Sequence, residues 1–245
     1  VEGGERMARY SFIGTEPYQV LKTGKGQPGG AVDPLVPIQA EMDKYKLIPV
    51  PDLPRFHGGA VGYLAYDVVR YFEPRLPEPP TDNLGLPESL FTFNDTLLIF
   101  DHLRHTIKVV SHAYLDGDID GAYREATQRV DRVVDRISAP LEPTPALKPA
   151  GPGAPVSSNF NQEHYEAAVE KAKEYIVAGD IIQVVPSQRL ARKTDAHPFQ
   201  IYRALRSINP SPYMYYLHLD DFHIVGASIE NVVSIEDGAL AAHPI

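Results

Sequence analysis

The sequence contains no cysteine, so neither disulfide bridges nor thiolate metal sites contribute to its stability or chemistry. That absence suits a cytoplasmic protein. No apolar run approaches the roughly 20 residues needed to cross a bilayer, which excludes a membrane-spanning helix from the expected elements. The opening residues, Val1-Glu2-Gly3-Gly4-Glu5-Arg6, lack the plan of a secretory signal, and they lack an initiator Met as well. Basic residues are in deficit: 23 Lys and Arg stand against 32 Asp and Glu, a net charge of −9. An acidic chain without a basic cluster argues against nucleic acid and anionic membrane as main partners. A small anionic substrate stays possible, because the field inside a pocket is local. The glycine-rich loop Gly24–Gly30 lacks the terminal Lys-Ser/Thr of a phosphate-cradling P-loop.

What is present is a succession of short strands and amphipathic helices. Arg9–Ile13 and Tyr18–Thr23 read as strands across the Gly14-Thr15-Glu16-Pro17 turn, and Val36–Tyr45 as a short helix. His57–Asp67, dense in glycine and tyrosine, reads as a tightly packed sheet corner. Phe91–Phe93, Thr96–Phe100 and Thr106–Val110 read as further strands. His102 and His105, on the turn between two of them, read as surface histidines for want of a third ligand. Ile119, Ala122, Tyr123, Ala126, Val130, Val133 and Ile137 recur at helical spacing.

Proline then clusters from Pro140 to Pro155, where neither a helix nor a central strand can persist. The expected organisation is therefore an N-terminal region over residues 1–138, a proline-rich linker over 139–158, and a second domain over 159–245. In that domain Asn161 is placed to cap a helix that Gly179 ends. Ile181–Leu190 reads as a strand interrupted by Pro186, Phe199–Ile208 as a helix, and Tyr213–Leu219 with Phe222–Ala227 as a hairpin. Glu236-Asp237-Gly238 cues another hairpin close to Ile245, so the chain reads as the front part of a longer protein. The fold class is α+β with mainly antiparallel sheets.

Taken singly, the chemical candidates are few. Glu230, beyond Gly226-Ala227-Ser228 at a strand end, is a carboxylate where a general acid is useful, although a solvated loop acid is the commoner role. His243 precedes a proline, an arrangement more often structural than catalytic. Gln183 alternates with apolar neighbours and faces either solvent or a polar pocket.

Several long motifs in order carry more information than any single residue. Arg9-Tyr10-Ser11-Phe12-Ile13-Gly14 and the stretch from His57 to Asp67 resemble the N-terminal region of anthranilate synthase component I, in the chorismate-binding enzyme family. Gly179–Arg189, Asn209–Met214, Val225–Ser228 with Glu230, and His243-Pro244-Ile245 continue the resemblance over essentially the whole chain. The resemblance implies conversion of chorismate and ammonia to anthranilate and pyruvate with Mg²⁺, ammonia coming from a partner glutamine amidotransferase, anthranilate synthase component II. It implies Glu230 as the acid that protonates a departing hydroxyl and His243 beside the reacting ring. Gln183 and Ser228 would line the substrate pocket. The glutamates that hold Mg²⁺ are expected beyond Ile245.

Related water-using synthases carry a lysine at the position of Gln183. A glutamine has no titratable nitrogen, so the nucleophile is expected to be ammonia. Aminodeoxychorismate synthase component I stays as the runner-up, and a non-catalytic tryptophan-binding module as a second alternative. Feedback control by tryptophan is implied at Arg9, Tyr10 and Ser11 together with Pro210, Pro212, Tyr213 and Met214. The family's Leu-Leu-Glu-Ser element of that pocket is absent. Ile229 departs from the family pattern, which places proline before the motif glutamate.

Overall fold

The computed structural model describes residues 8–79, 81–141 and 153–242. Two compact units are present: Val1–Leu141 together with Ile201–Ile245, and Glu142–Gln200.

The first unit begins with the N-terminal run of chain. Strands β1 (Tyr10–Gly14) and β2 (Gln19–Thr23) precede helix α1 (Leu35–Met42), strand β3 (Gly59–Leu64) and a 3₁₀ turn at Tyr66–Tyr71. Strands β4 (Ser89–Asn94) and β5 (Thr96–Asp101) follow, with only Asp95 between them, and then β6 (Thr106–Ser111). Two antiparallel three-stranded sheets result, in the orders β2-β4-β3 and β1-β5-β6. The stretch from Ser89 to Asp101 thus supplies the middle strand of each, β4 to one and β5 to the other. Its letters explain this. Leu97, Leu98 and Ile99 are consecutive and all buried, as in a strand covered on both faces, and Leu90 and Phe93 are buried beside them. Thr23 and Ser89, also buried, hydrogen-bond through their hydroxyls at 2.7 Å. The glycine at Gly62 is required by proximity, since a Cβ there would meet the Leu90 carbonyl oxygen at 2.0 Å.

Helix α2 (Ile119–Ser138) packs on β6. The Asp118 carboxylate accepts from the Gly121 N–H at 2.9 Å and starts the helix, while Ala126 on the apolar stripe is buried. Arg129 reaches back from α2, donating to Ser111 Oγ at 2.9 Å and to the His112 carbonyl at 2.6 Å.

The second unit contains β7 (Ser157–Ser158), helix α3 (Gln162–Ala178), β8 (Leu190–Ala191) and the first residues of helix α4 (Pro198–Ile208). Asn161 Oδ1 accepts from the His164 N–H at 2.8 Å, and Gly179 stops α3 with φ 82°. None of this unit's described residues is buried. The expected strand over Ile181–Leu190 does not form; only Leu190–Ala191 pairs, with Ser157–Ser158. A strand exists only where its backbone groups meet a ladder partner, and Pro186 brings no N–H. Ile182 and Val185 are accordingly exposed. Most of the proline-rich stretch expected as a linker lies outside the described residues.

The rest of α4, with strands β9 (Tyr213–Leu219), β10 (Phe222–Ser228), β11 (Ser234–Glu236) and β12 (Ala239–Ala241), belongs to the first unit. They form two hairpins, β9–β10 and β11–β12. The turns are those cued by sequence: Asp220 has φ 51°, and Asp237 and Gly238 have φ 49° and 79°, both positive as a type I′ turn demands. The β9–β10 hairpin is anchored by buried Leu219, by the Lys22–Asp220 ion pair and by an edge-to-face contact of Tyr63 with Phe222, 6.0 Å between centroids. Arg55 ties the second hairpin by pairing with Glu236 at 3.2 Å and donating to the Ile235 carbonyl.

A buried ion pair fixes the entry of β1. Arg9 grips the buried Asp101 carboxylate twice, Nε to Oδ1 at 3.2 Å and Nη2 to Oδ2 at 2.8 Å. The Leu103 and Arg104 N–H groups donate to the same carboxylate, each at 3.1 Å. The guanidinium, aided by these backbone donors against the cost of burial, holds the Asp101 carboxyl at about 2, below an ordinary 3.8. A depressed folded-state value means that ionised Asp101 stabilises the fold fully above about pH 4, and that this stabilisation is lost as pH falls towards 2. Asp101→Asn is therefore expected to lower the urea midpoint at neutral pH and to flatten the fall in stability between about pH 5 and 2. Equal acid slopes for parent and variant would contradict this role.

Candidate functional site

The β9–β10 ladder decides which expected site residues meet. Its register pairs Tyr213 with Ser228 and Met214 with Ala227. The loop that precedes β9 and the turn that follows β10 therefore sit at one end of the same hairpin. That loop is shaped locally: the Asn209 N–H donates to the Leu205 carbonyl at 2.8 Å as α4 ends, and Pro210 prevents its continuation. Ser211 is buried, its hydroxyl donating to the Tyr213 carbonyl at 3.2 Å. Met214 is half-buried and Tyr213 is exposed.

At the other strand's end, Ser228 acts on the backbone. Its hydroxyl accepts from the Glu230 N–H at 3.3 Å and lies 3.2 Å from the Glu230 carbonyl, to which it donates. This small turn holds the main chain of Glu230 although Ile229, where the family pattern has proline, is itself exposed. The Glu230 side chain is also exposed. Near the same end, Gly226 pairs with Tyr215 and lies under its ring, and a Cβ at that glycine would meet the ring at 2.2 Å. A glycine is needed there for the aromatic side chain to lie across the strand.

The remaining candidates are distributed. Arg9 is committed to Asp101 and also lies 4.8 Å from the Tyr10 ring centroid. The Ser11 hydroxyl hydrogen-bonds His102 Nε2 at 2.7 Å. Gln183 belongs to the second unit, on the irregular stretch where a strand was expected, and is exposed. His243 lies outside the described residues. Among the described residues no group of three or more His, Asp or Glu is placed to hold a metal ion. No described helix is long and apolar enough to cross a membrane.

Sequence reasoning overlooked Asp101 and the partnership of His102 with Ser11. The available signal was an aspartate at a strand end followed by a four-residue turn, a position where a carboxylate accepts backbone N–H groups. Nothing local marks Arg9, 92 residues away, as its partner.

Comparison with known proteins accounts for this arrangement. A protein of Schizosaccharomyces pombe named as a probable anthranilate synthase component 1 is 45% identical over 247 residues, covering 100% of this chain and 49% of that protein. Anthranilate synthase component 1 of Acetivibrio thermocellus is 41% identical over 260 residues, covering 100% of this chain and 52% of its own length. The crystal structure of anthranilate synthase component I from Streptococcus pneumoniae superposes with a TM-score of 0.78 at 28% identity, over 98% of this chain and 54% of that one. The chain thus spans about half the length of the curated relatives it matches. Residues 4–245 match the family described as chorismate binding enzyme, and to that family the chain belongs.

Proposed function

We propose that this chain forms part of an anthranilate synthase component I, which converts chorismate and ammonia to anthranilate, pyruvate and water. The observation that carries the proposal is the likeness of the whole chain to proteins of that name at 41–45% identity. The chemistry asks for an amine to bond at C2 of the ring while the C4 hydroxyl leaves as water. Removal of the C2 proton and cleavage of the ring C3–O bond, with the ether oxygen departing as part of pyruvate, then make the ring aromatic. Hydroxide is a poor leaving group, so an acid must deliver a proton to it. Glu230 takes that role, and the Ser228 hydroxyl bonding to its backbone fixes where the carboxyl starts from. The task of orienting the departing group is assigned to His243, and Ser228 contributes to the substrate pocket.

Ammonia comes from a glutamine amidotransferase partner, anthranilate synthase component II, and the assembly works in the cytoplasm in tryptophan biosynthesis. The chorismate-binding domain begins with residues 159–245. Magnesium takes its carboxylates from the half of the relatives' length that this chain does not span. The 245 residues by themselves are expected to show no anthranilate synthase turnover, and measurable turnover would contradict this. In a polypeptide that spans the relatives' full length, Glu230→Gln is expected to lower kcat about 10²–10⁴-fold with KM little changed. A kcat within threefold of the parent's would remove Glu230 from the role.

Tryptophan acts as the feedback inhibitor, held by Arg9, Tyr10, Ser11, Pro210, Pro212, Tyr213 and Met214. The pairing of Tyr213 with Ser228 and of Met214 with Ala227 supports this control, since an inhibitor seated on the loop pulls on the strand opposite the acid's turn. The chain contains no tryptophan, so the ligand supplies the sole indole signal. Its fluorescence anisotropy is expected to rise when chain is added, and Met214→Ala is expected to weaken binding at least about tenfold. An anisotropy that stays flat to millimolar chain would contradict the pocket.

A further inference from the structure

The turn end of the β9–β10 hairpin carries a feature that the reaction does not use. His218 and His223 are directly opposed across the two strands, and their rings are 4.2 Å apart at 13°. Cross-strand partners have Cβ atoms about 4.5–5.5 Å apart, which sets the two imidazoles side by side on one face of the hairpin. Tyr216, on the same face by the alternation of β9, walls the pair with its ring 5.6 Å from that of His223. His218 is exposed and His223 half-buried.

We propose that His218 and His223 form a two-histidine chelate for a borderline divalent transition-metal cation, bound across the strands near the Asp220–Asp221 turn. Two imidazole nitrogens that share one cation at about 2.0–2.1 Å lie roughly 3 Å apart. The rings now lie nearly parallel with centroids 4.2 Å apart, so chelation requires each to turn about its side-chain bonds until the two nitrogen lone pairs converge. Water fills the other coordination positions. Imidazole ligands order the cations as Cu²⁺ ahead of Ni²⁺ and Zn²⁺, and discriminate against Mg²⁺, which prefers oxygen. The bound ion clips β9 to β10 at the end opposite Ser228 and Met214, so it stabilises the folded hairpin by mass action.

The test is titration of the 245-residue chain with Cu²⁺, Ni²⁺ and Mg²⁺, followed by calorimetry and, for Cu²⁺, by electron paramagnetic resonance. The expected result is one site with two coordinated nitrogens, filled by Cu²⁺ and Ni²⁺ and not by Mg²⁺. His218→Gln and His223→Gln are each expected to remove one nitrogen and weaken Ni²⁺ at least about tenfold, while His105→Gln on a distant turn changes neither. Far-ultraviolet circular dichroism checks that each variant folds. If a variant does not fold, the nitrogen count on the unaltered chain still decides: a single coordinated nitrogen overturns the proposal. So does a spectrum that neither substitution alters, or an absence of Ni²⁺ binding at millimolar concentration.

Discussion

One continuous strand governs the first unit. From Ser89 to Asp101 the chain runs through the middle of two sheets with a single residue, Asp95, at the crossing. Leu90, Phe93, Leu97, Leu98 and Ile99, all buried, lie on it. Each sheet therefore depends on the same segment for its central ladder, and neither can register independently of the other. The polar requirements of that segment are met at both ends, by Thr23 for Ser89 and by Arg9 for Asp101. A buried carboxylate without its guanidinium would be costly, which is why the entry of β1 is fixed so firmly.

This frame gives the β9–β10 hairpin something to stand on. A two-stranded ribbon is marginal by itself. Here Leu219 is buried, Phe222 meets Tyr63, and Asp220 meets Lys22, all near the turn. The other end holds the residues proposed above for inhibitor binding and acid catalysis: the Pro210–Met214 loop on one strand and the Ser228–Glu230 turn on the other. The register between them is set by backbone hydrogen bonds, so a one-residue slip would reverse every side chain.

Much of this was legible in the letters because the signals are local. Asn161 and Gly179 mark the two ends of α3, and both cap as their chemistry requires. The Asp220-Asp221 and Asp237-Gly238 turns likewise follow from residues that tolerate positive φ. The expected strand at Ile181–Leu190 failed for a non-local reason: apolar alternation supplies side chains, whereas a strand needs a neighbour's backbone, and only Leu190–Ala191 has one here. The Arg9–Asp101 pair was invisible for the same reason, since no pattern within a short window joins residues so far apart. Of the candidate site, the ordered motifs named the residues, while the meeting of Tyr213 with Ser228 needed the register.

The account stands or falls on whether the aminated ring goes on to release pyruvate. The decisive measurement is the ratio of pyruvate to aromatic amine formed by a polypeptide that contains this chain and spans the relatives' full length. An anthranilate synthase releases pyruvate and anthranilate in equal amounts. An amino product that keeps its enolpyruvyl ether, with no pyruvate released, would contradict the assignment.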